Sequence, residues 1–156
     1  MSRVYDRRTF VYLTGAAVGT VALAGCIGGG DIEPEDDVPA EIHDYLGGAG
    51  EYDGSITDAT GESQVYIDVG AGNGLAYDPA AVRIDAGTTV VWEWTGQGGS
   101  HDVASTRDSD ASFQSDLMSA DGETFEHTFD DPGIQLYVCT PHRGQGMLGA
   151  IEVVDS

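Results

Sequence analysis

Between residues 64 and 154, apolar and polar side chains alternate in short runs separated by turn residues. Val65, Ile67 and Val69 share one side of 64–69, Val82 and Ile84 flank Arg83, and Val90, Trp92 and Trp94 share one side of 88–94. Phe125, His127 and Phe129 align in 124–129. Residues 134–139 place Ile134, Leu136 and Val138 on one face and Tyr137 with Cys139 on the other, and Ile151 and Val153 pair up near the end. A period of two belongs to strands, whose successive side chains point to opposite faces. Asp85-Ala86-Gly87 and Asp131-Pro132-Gly133 supply turns between the runs. No internal repeat and no long helical period competes. Short strands with turns roughly every 8–12 residues predict an all-β fold of the β-sandwich type.

The first 43 residues do not follow this pattern. Arg7 and Arg8 stand ahead of an apolar or small stretch of 14 residues, 11–24, which Gly25 and Cys26 close. A helix needs about 20 residues to cross a hydrocarbon core of ~30 Å, so this stretch has the shape of a cleaved signal peptide. The arginine pair resembles the twin-arginine export signal. Leu23-Ala24-Gly25-Cys26 resembles the lipobox of lipoproteins, in which the cysteine becomes a lipidated N-terminus; an uncleaved anchor is the competing reading. The expected organisation is an export signal over 1–25, a flexible acidic Gly/Pro tether over 26–43, and a β domain over 44–156. Residues 41–46 are a candidate helical turn. The expected location is the extracytoplasmic face of the cell membrane, held by lipid on Cys26.

Charge narrows the partners. There are 27 acidic residues against six arginines, no lysine, and a formal net charge of −21. Loss of residues 1–25 would leave three arginines and 26 acids, a net charge of −23. Nucleic acid is excluded, because phosphate binding needs a basic face. The carboxylates run along the whole chain, which favours adaptation to very high salt over one cationic docking field. At ~1 M salt the Debye length is about 3 Å, so partners would be recognised at short range.

The candidate chemistry lies in residues 139–147, Cys-Thr-Pro-His-Arg-Gly-Gln-Gly-Met. Cys139, His142 and Met147 place a thiol, an imidazole and a thioether in one short loop, with Gly144 and Gly146 allowing a tight return. A histidine from elsewhere completes two nitrogens and two sulfurs, a set that suits Cu(II) through imidazole and Cu(I) through sulfur. His101 is favoured, since it follows the glycine-rich loop 96–100 at the end of a strand. His127 reads instead as a packed strand histidine and His43 as a solvent-exposed one near the tether.

These motifs, with the run from Leu75 to Trp94 and Ser100-His101-Asp102-Val103, resemble the plastocyanin-like cupredoxins. Within that family they resemble the halocyanins, membrane-bound blue-copper proteins of halophilic archaea. The resemblance covers about residues 44–156 and implies a cupredoxin-like Greek-key β-sandwich. It implies one copper ion held by His101, Cys139, His142 and Met147, with His142 at the surface as the path for electrons among small apolar residues such as Pro141, Gly144, Gly146 and Leu75. Asp102, Thr140 and Pro141 would surround the ligands. Pro141 has no N–H to offer the Cys139 sulfur, which raises the potential. Relatives commonly carry asparagine where this chain has Asp102. The substitution removes the amide donor expected to tie the two ligand loops, and a carboxylate there favours Cu(II).

The implied function is one-electron transport, with membrane redox complexes as donor and acceptor and membrane lipid holding the N-terminus. Four protein ligands leave no position for a small-molecule substrate, so an enzyme is not expected. Copper delivery or storage, and structural zinc, are the alternatives. Three methionines, one of them Met1, are few for the first, and thioether is a poor ligand for the second.

Overall fold

The longest alternating runs become the longest strands. The computed structural model describes residues 33–156; Arg7, Arg8, Cys26 and the first part of the expected tether lie outside them. Among the described residues, helix α1 (Ala40–Leu46) precedes nine strands. They are β1 (Thr57–Asp58), β2 (Gln64–Ala71), β3 (Ala76–Asp78), β4 (Ala81–Asp85), β5 (Thr88–Trp94), β6 (Ala104–Ser105), β7 (Thr124–Phe129), β8 (Gly133–Val138) and β9 (Leu148–Val154). A kinked 3-10 stretch, Thr140–Gln145, joins β8 to β9.

The strands form two sheets, ordered β1-β4-β9-β8-β6 and β3-β2-β5-β7. The chain crosses between sheets, so β2 lies parallel to β5 and β4 parallel to β9. This is the sandwich that the alternation predicts. Register follows the buried face: Ile67 sits opposite Trp92, Val69 opposite Trp94, and Trp92 opposite Phe125. A slip of one residue would turn Val90, Trp92 and Trp94 to solvent, which fixes the pairing. Trp92 centres an aromatic cluster, with ring centroids 5.8 Å from Phe113, 5.5 Å from Phe125 and 5.5 Å from Tyr137. Tyr137 lies over Gly149, its partner on β9, where any side chain would overlap its ring. Cys139 and Met147 belong to the same buried cluster, so the candidate metal loop is built on one end of the inter-sheet core.

The expected boundary of the tether needs correction. Residues 33–43 are not all linker, because Val38 and Ile42 are buried with Leu46, Ala49, Tyr52 and Ile56. Together they cover the outer face of the five-stranded sheet, against Ala80, Ala81, Leu136 and Ala150. Small residues on β4 and β9 let α1 come close, while the outward apolar face of β8 requires a cover. Arg83 fastens the approach to the helix. Its Nε meets Glu152 at 2.6 Å, and its other nitrogens meet the Asp37 carboxylate at 3.1 Å and the Asp37 carbonyl at 2.6 Å. His43 is half-buried rather than exposed, with its Nδ1 2.9 Å from the Tyr52 hydroxyl.

A side chain with no exposure in this second core should be costly to truncate. Ile42→Ala is expected to lower stability by about 2–4 kcal/mol, read as a lower urea midpoint at unchanged slope. A midpoint equal to that of the parent would show that the segment is only a linker.

Candidate metal centre

Two loops meet at the end of the core. The first leaves β5 through a glycine-rich turn and returns at His101, whose backbone N–H and C=O both pair with Met118, at 2.8 and 2.9 Å. The Trp94 indole N–H also donates to the His101 carbonyl, at 3.2 Å. The ring is held from behind. Its Nε2 lies 2.6 Å from the Gln97 carbonyl, and since a carbonyl only accepts, Nε2 carries the proton. Nδ1 is thereby left with a lone pair facing the second loop. Gly98, at φ +80°, permits this: a Cβ there would strike the Gly74 carbonyl and come 2.9 Å from Nε2.

The second loop runs from Cys139 to Met147. Its ends are joined by the Cys139 N–H donating to the Met147 carbonyl at 3.0 Å. Inside it, the His142 N–H donates to the Cys139 carbonyl at 3.1 Å, and the Met147 N–H to the His142 carbonyl at 3.3 Å. Gly146 turns the chain back in the left-handed region at φ +77°; Gly144 does not adopt a positive φ. Of the two glycines expected to tighten the loop, only Gly146 does so by conformation.

The ligand atoms converge. His101 Nδ1 and His142 Nδ1 are 3.1 Å apart, and the Cys139 sulfur is 3.7 Å from the first and 3.4 Å from the second. The point equidistant from the corners of this triangle lies about 2.0 Å from each. That matches metal–nitrogen bonds of about 2.0–2.1 Å and falls slightly short of a metal–thiolate bond of about 2.3 Å. No other group of three histidine, cysteine or carboxylate side chains is close enough to hold an ion among the described residues. His101, Cys139 and Met147 have at most 1% of their surface exposed, and His142 is half-buried. Met147 brings a soft sulfur into the same cluster as Cys139. A donor set of two imidazoles, a thiol and a thioether fits a copper ion.

The two loops are tied, but not in the expected manner. The Asp102 carboxylate accepts from the Thr140 N–H at 2.6 Å and from the Thr140 hydroxyl at 2.8 Å. The lost amide donor is therefore replaced by a double acceptor, because Thr140 supplies both protons. The Tyr77 hydroxyl donates to the Asp102 carbonyl, adding a third hold on the same residue. Pro141 is exposed, as are Thr140 and Gly144, while Leu75 is half-buried.

Comparison with known proteins places this geometry. Residues 63–154 match the family described as copper binding proteins, plastocyanin/azurin family. The chain belongs to that family. Halocyanin from Natronomonas pharaonis is 52% identical over 158 residues, covering 95% of this chain and 97% of that protein. Plastocyanin from Scenedesmus fuscus is 35% identical over 97 residues, which are 57% of this chain and 98% of that protein. Among solved structures, a Cu-containing nitrite reductase from Thermus scotoductus superposes with a TM-score of 0.51 at 25% identity. That likeness covers 60% of this chain and only 23% of the reductase chain. The family's cofactor is copper, and the fold is that of the cupredoxins, as the sequence resemblance implied.

Of the remaining histidines, His127 packs against Phe113 and Phe129, with ring centroids 5.4 and 4.7 Å away, and His43 lies on α1; neither joins the centre. Sequence reading gave no role to the Gln97 carbonyl or to Trp94. Main-chain acceptors carry no sequence signature, and a strand tryptophan reads simply as core.

Electrostatics prepares the donors differently. Burial pushes the Cys139 thiol up to about 11, opposed by donation from the backbone N–H groups of Asp102 and His142. Burial also holds His101 below the usual imidazole range, so its ring is neutral near pH 7 and ready to bind. A copper-family site of this kind must expel the thiol proton to form, and His101 releases none. Metal affinity should therefore rise about tenfold per pH unit from pH 7 towards 10, and flatten as pH passes the thiol pKa. Competition against a chelator of known pH dependence would check this; an affinity independent of pH would contradict it.

Proposed function

We propose that this protein is a one-electron carrier with a mononuclear blue-copper centre, held by His101, Cys139, His142 and Met147. It would pass electrons between membrane redox complexes at the outer face of the cell. The observation that carries this reading is the triangle of two imidazole nitrogens and one thiol sulfur, with sides of 3.1, 3.7 and 3.4 Å. Bound copper would supply the change between Cu(I) and Cu(II). The chain's own residues supply rigidity. Gln97, Met118 and Trp94 fix His101, the loop's own amides fix His142 and Met147, and Asp102 with Thr140 fixes one loop to the other. Donors held this firmly rearrange little when charge changes, which favours fast transfer.

His142 is the only one of the four that is not fully buried, so it is the exit for the electron, and exposed Pro141 and Gly144 leave room beside it for a partner protein. Export by the Arg7–Arg8 signal and lipid attachment at Cys26 remain part of the proposal and rest on sequence alone. The acidity throughout the chain supports work in high salt. An electron carrier of this kind is not an enzyme.

Adding Cu(II) to the metal-free protein is expected to give an intense blue band that ascorbate bleaches and an oxidant restores. Met147→Ala should keep copper with a shifted potential. A colourless protein that keeps its metal through ascorbate, and ignores Met147→Ala, would instead hold zinc.

Asp102→Asn tests the effect of the carboxylate without breaking the tie. The amide oxygen can accept from the Thr140 N–H, and its NH2 can donate to the Thr140 hydroxyl. Removing one negative charge beside the site should raise the potential by on the order of 30–100 mV, measured by redox titration.

A further inference from the structure

Helix α1 and the turn after it lie outside the family segment 63–154. Their cover of the outer sheet accounts for Val38, Ile42 and Leu46, but not for what residues 45–49 do at the other side of that layer. There they reach the ligand loop. The Tyr45 hydroxyl donates to the Tyr137 carbonyl at 2.7 Å, two residues before Cys139. At the far end of the loop, the Gly146 backbone is seated on the Gly48 carbonyl so closely that a Cβ at 146 would overlap it, and would lie 3.7 Å from Ala49 Cα. Gly146 itself immediately precedes Met147. Thus both stems of the loop that carries Cys139, His142 and Met147 rest on five consecutive residues of the N-terminal segment.

We propose that Tyr45 and the Gly48–Ala49 backbone are positioning groups for the metal loop, setting the separation of its two stems. The inference rests on the copper reading of that loop, but the contacts themselves are between protein atoms only. Burial pushes the Tyr45 phenol up to about 12, with the Arg143 charge opposing, so its O–H stays a donor throughout the working pH range. The Tyr45 hydroxyl adds a contact on the Tyr137 carbonyl from outside the pairing of β8 with β9. The stems are then held from outside the sandwich as well as by the Cys139–Met147 hydrogen bond within the loop.

The test compares Tyr45→Phe with Ile42→Val in the full chain. Both touch the same second core, but only the first removes a contact with the loop. In metal-free protein, Tyr45→Phe should speed hydrogen exchange at the His142 and Met147 amides about three- to tenfold relative to amides of β2 and β5. Ile42→Val should leave that ratio unchanged while lowering Tm. With copper bound, Tyr45→Phe should also shift the visible band and hasten copper release. Equal exchange ratios in the two variants, with an unmoved band, would reduce the segment to a packing layer and overturn the proposal. Because the exchange arm needs no metal, it decides the matter whether or not a blue centre forms.

Discussion

The hold of Asp102 on Thr140 is the joint on which the site depends. His101 comes from the loop that leaves β5 in the four-stranded sheet and enters β6 in the five-stranded one, where Ala104 pairs with Val138 of β8, and Cys139, His142 and Met147 come from the loop after β8. The pairing of β6 with β8 brings the two loops side by side but does not by itself set them to the tenths of an ångström that metal ligation requires. A carboxylate that accepts two hydrogen bonds from one residue of the facing loop removes that freedom. Asp102 is adjacent to one ligand and Thr140 to another, so no flexible chain lies between the joint and the donors. Charge-assisted hydrogen bonds of this kind are stronger than neutral ones, and the Asp102 end of the pair is buried while Thr140 is exposed.

Around that joint the molecule is arranged in three layers rather than two. Aromatic and branched side chains fill the space between the sheets, and the metal loop closes one end of that space. On the outer face of the five-stranded sheet, the N-terminal segment makes a second, smaller core. Strand β8 is apolar on both faces for this reason: Tyr137 looks into the first core and Leu136 into the second. The strand that leads into Cys139 is therefore packed from both sides, which stiffens the stem of the ligand loop.

The strands and the site were legible because their signals are local. The alternation over residues 88–94 and 124–129 marks β5 and β7 to the residue, and the cysteine, histidine and methionine of one loop announce their chemistry by spacing alone. The remote ligand was legible from the glycine-rich turn before His101. The N-terminal segment was less so. Glycine, proline and acids dominate residues 26–41, and that composition hides Val38 and Ile42, two isolated apolar residues without a period. The clue lay elsewhere, in the apolar outer face of β8, which no strand of a two-layer sandwich would cover. The Asp102 tie was invisible for another reason. A side chain that loses its donor keeps its place as an acceptor when the facing residue carries both protons, as Thr140 does, and sequence does not show which residues face one another.

The Arg83 clasp has a consequence for reach. The ion pair of Arg83 with Asp37, and the Glu35 N–H donating to the Gly54 carbonyl at 2.8 Å, attach the chain to the folded body soon after residue 33. If lipid is fixed at Cys26, as proposed, nine peptide units separate it from Glu35, a contour length of about 30 Å at most. Such a leash is no longer than the hydrocarbon core is thick. The copper domain would then glide along the membrane instead of swinging out from it, and would meet its donors and acceptors by two-dimensional diffusion.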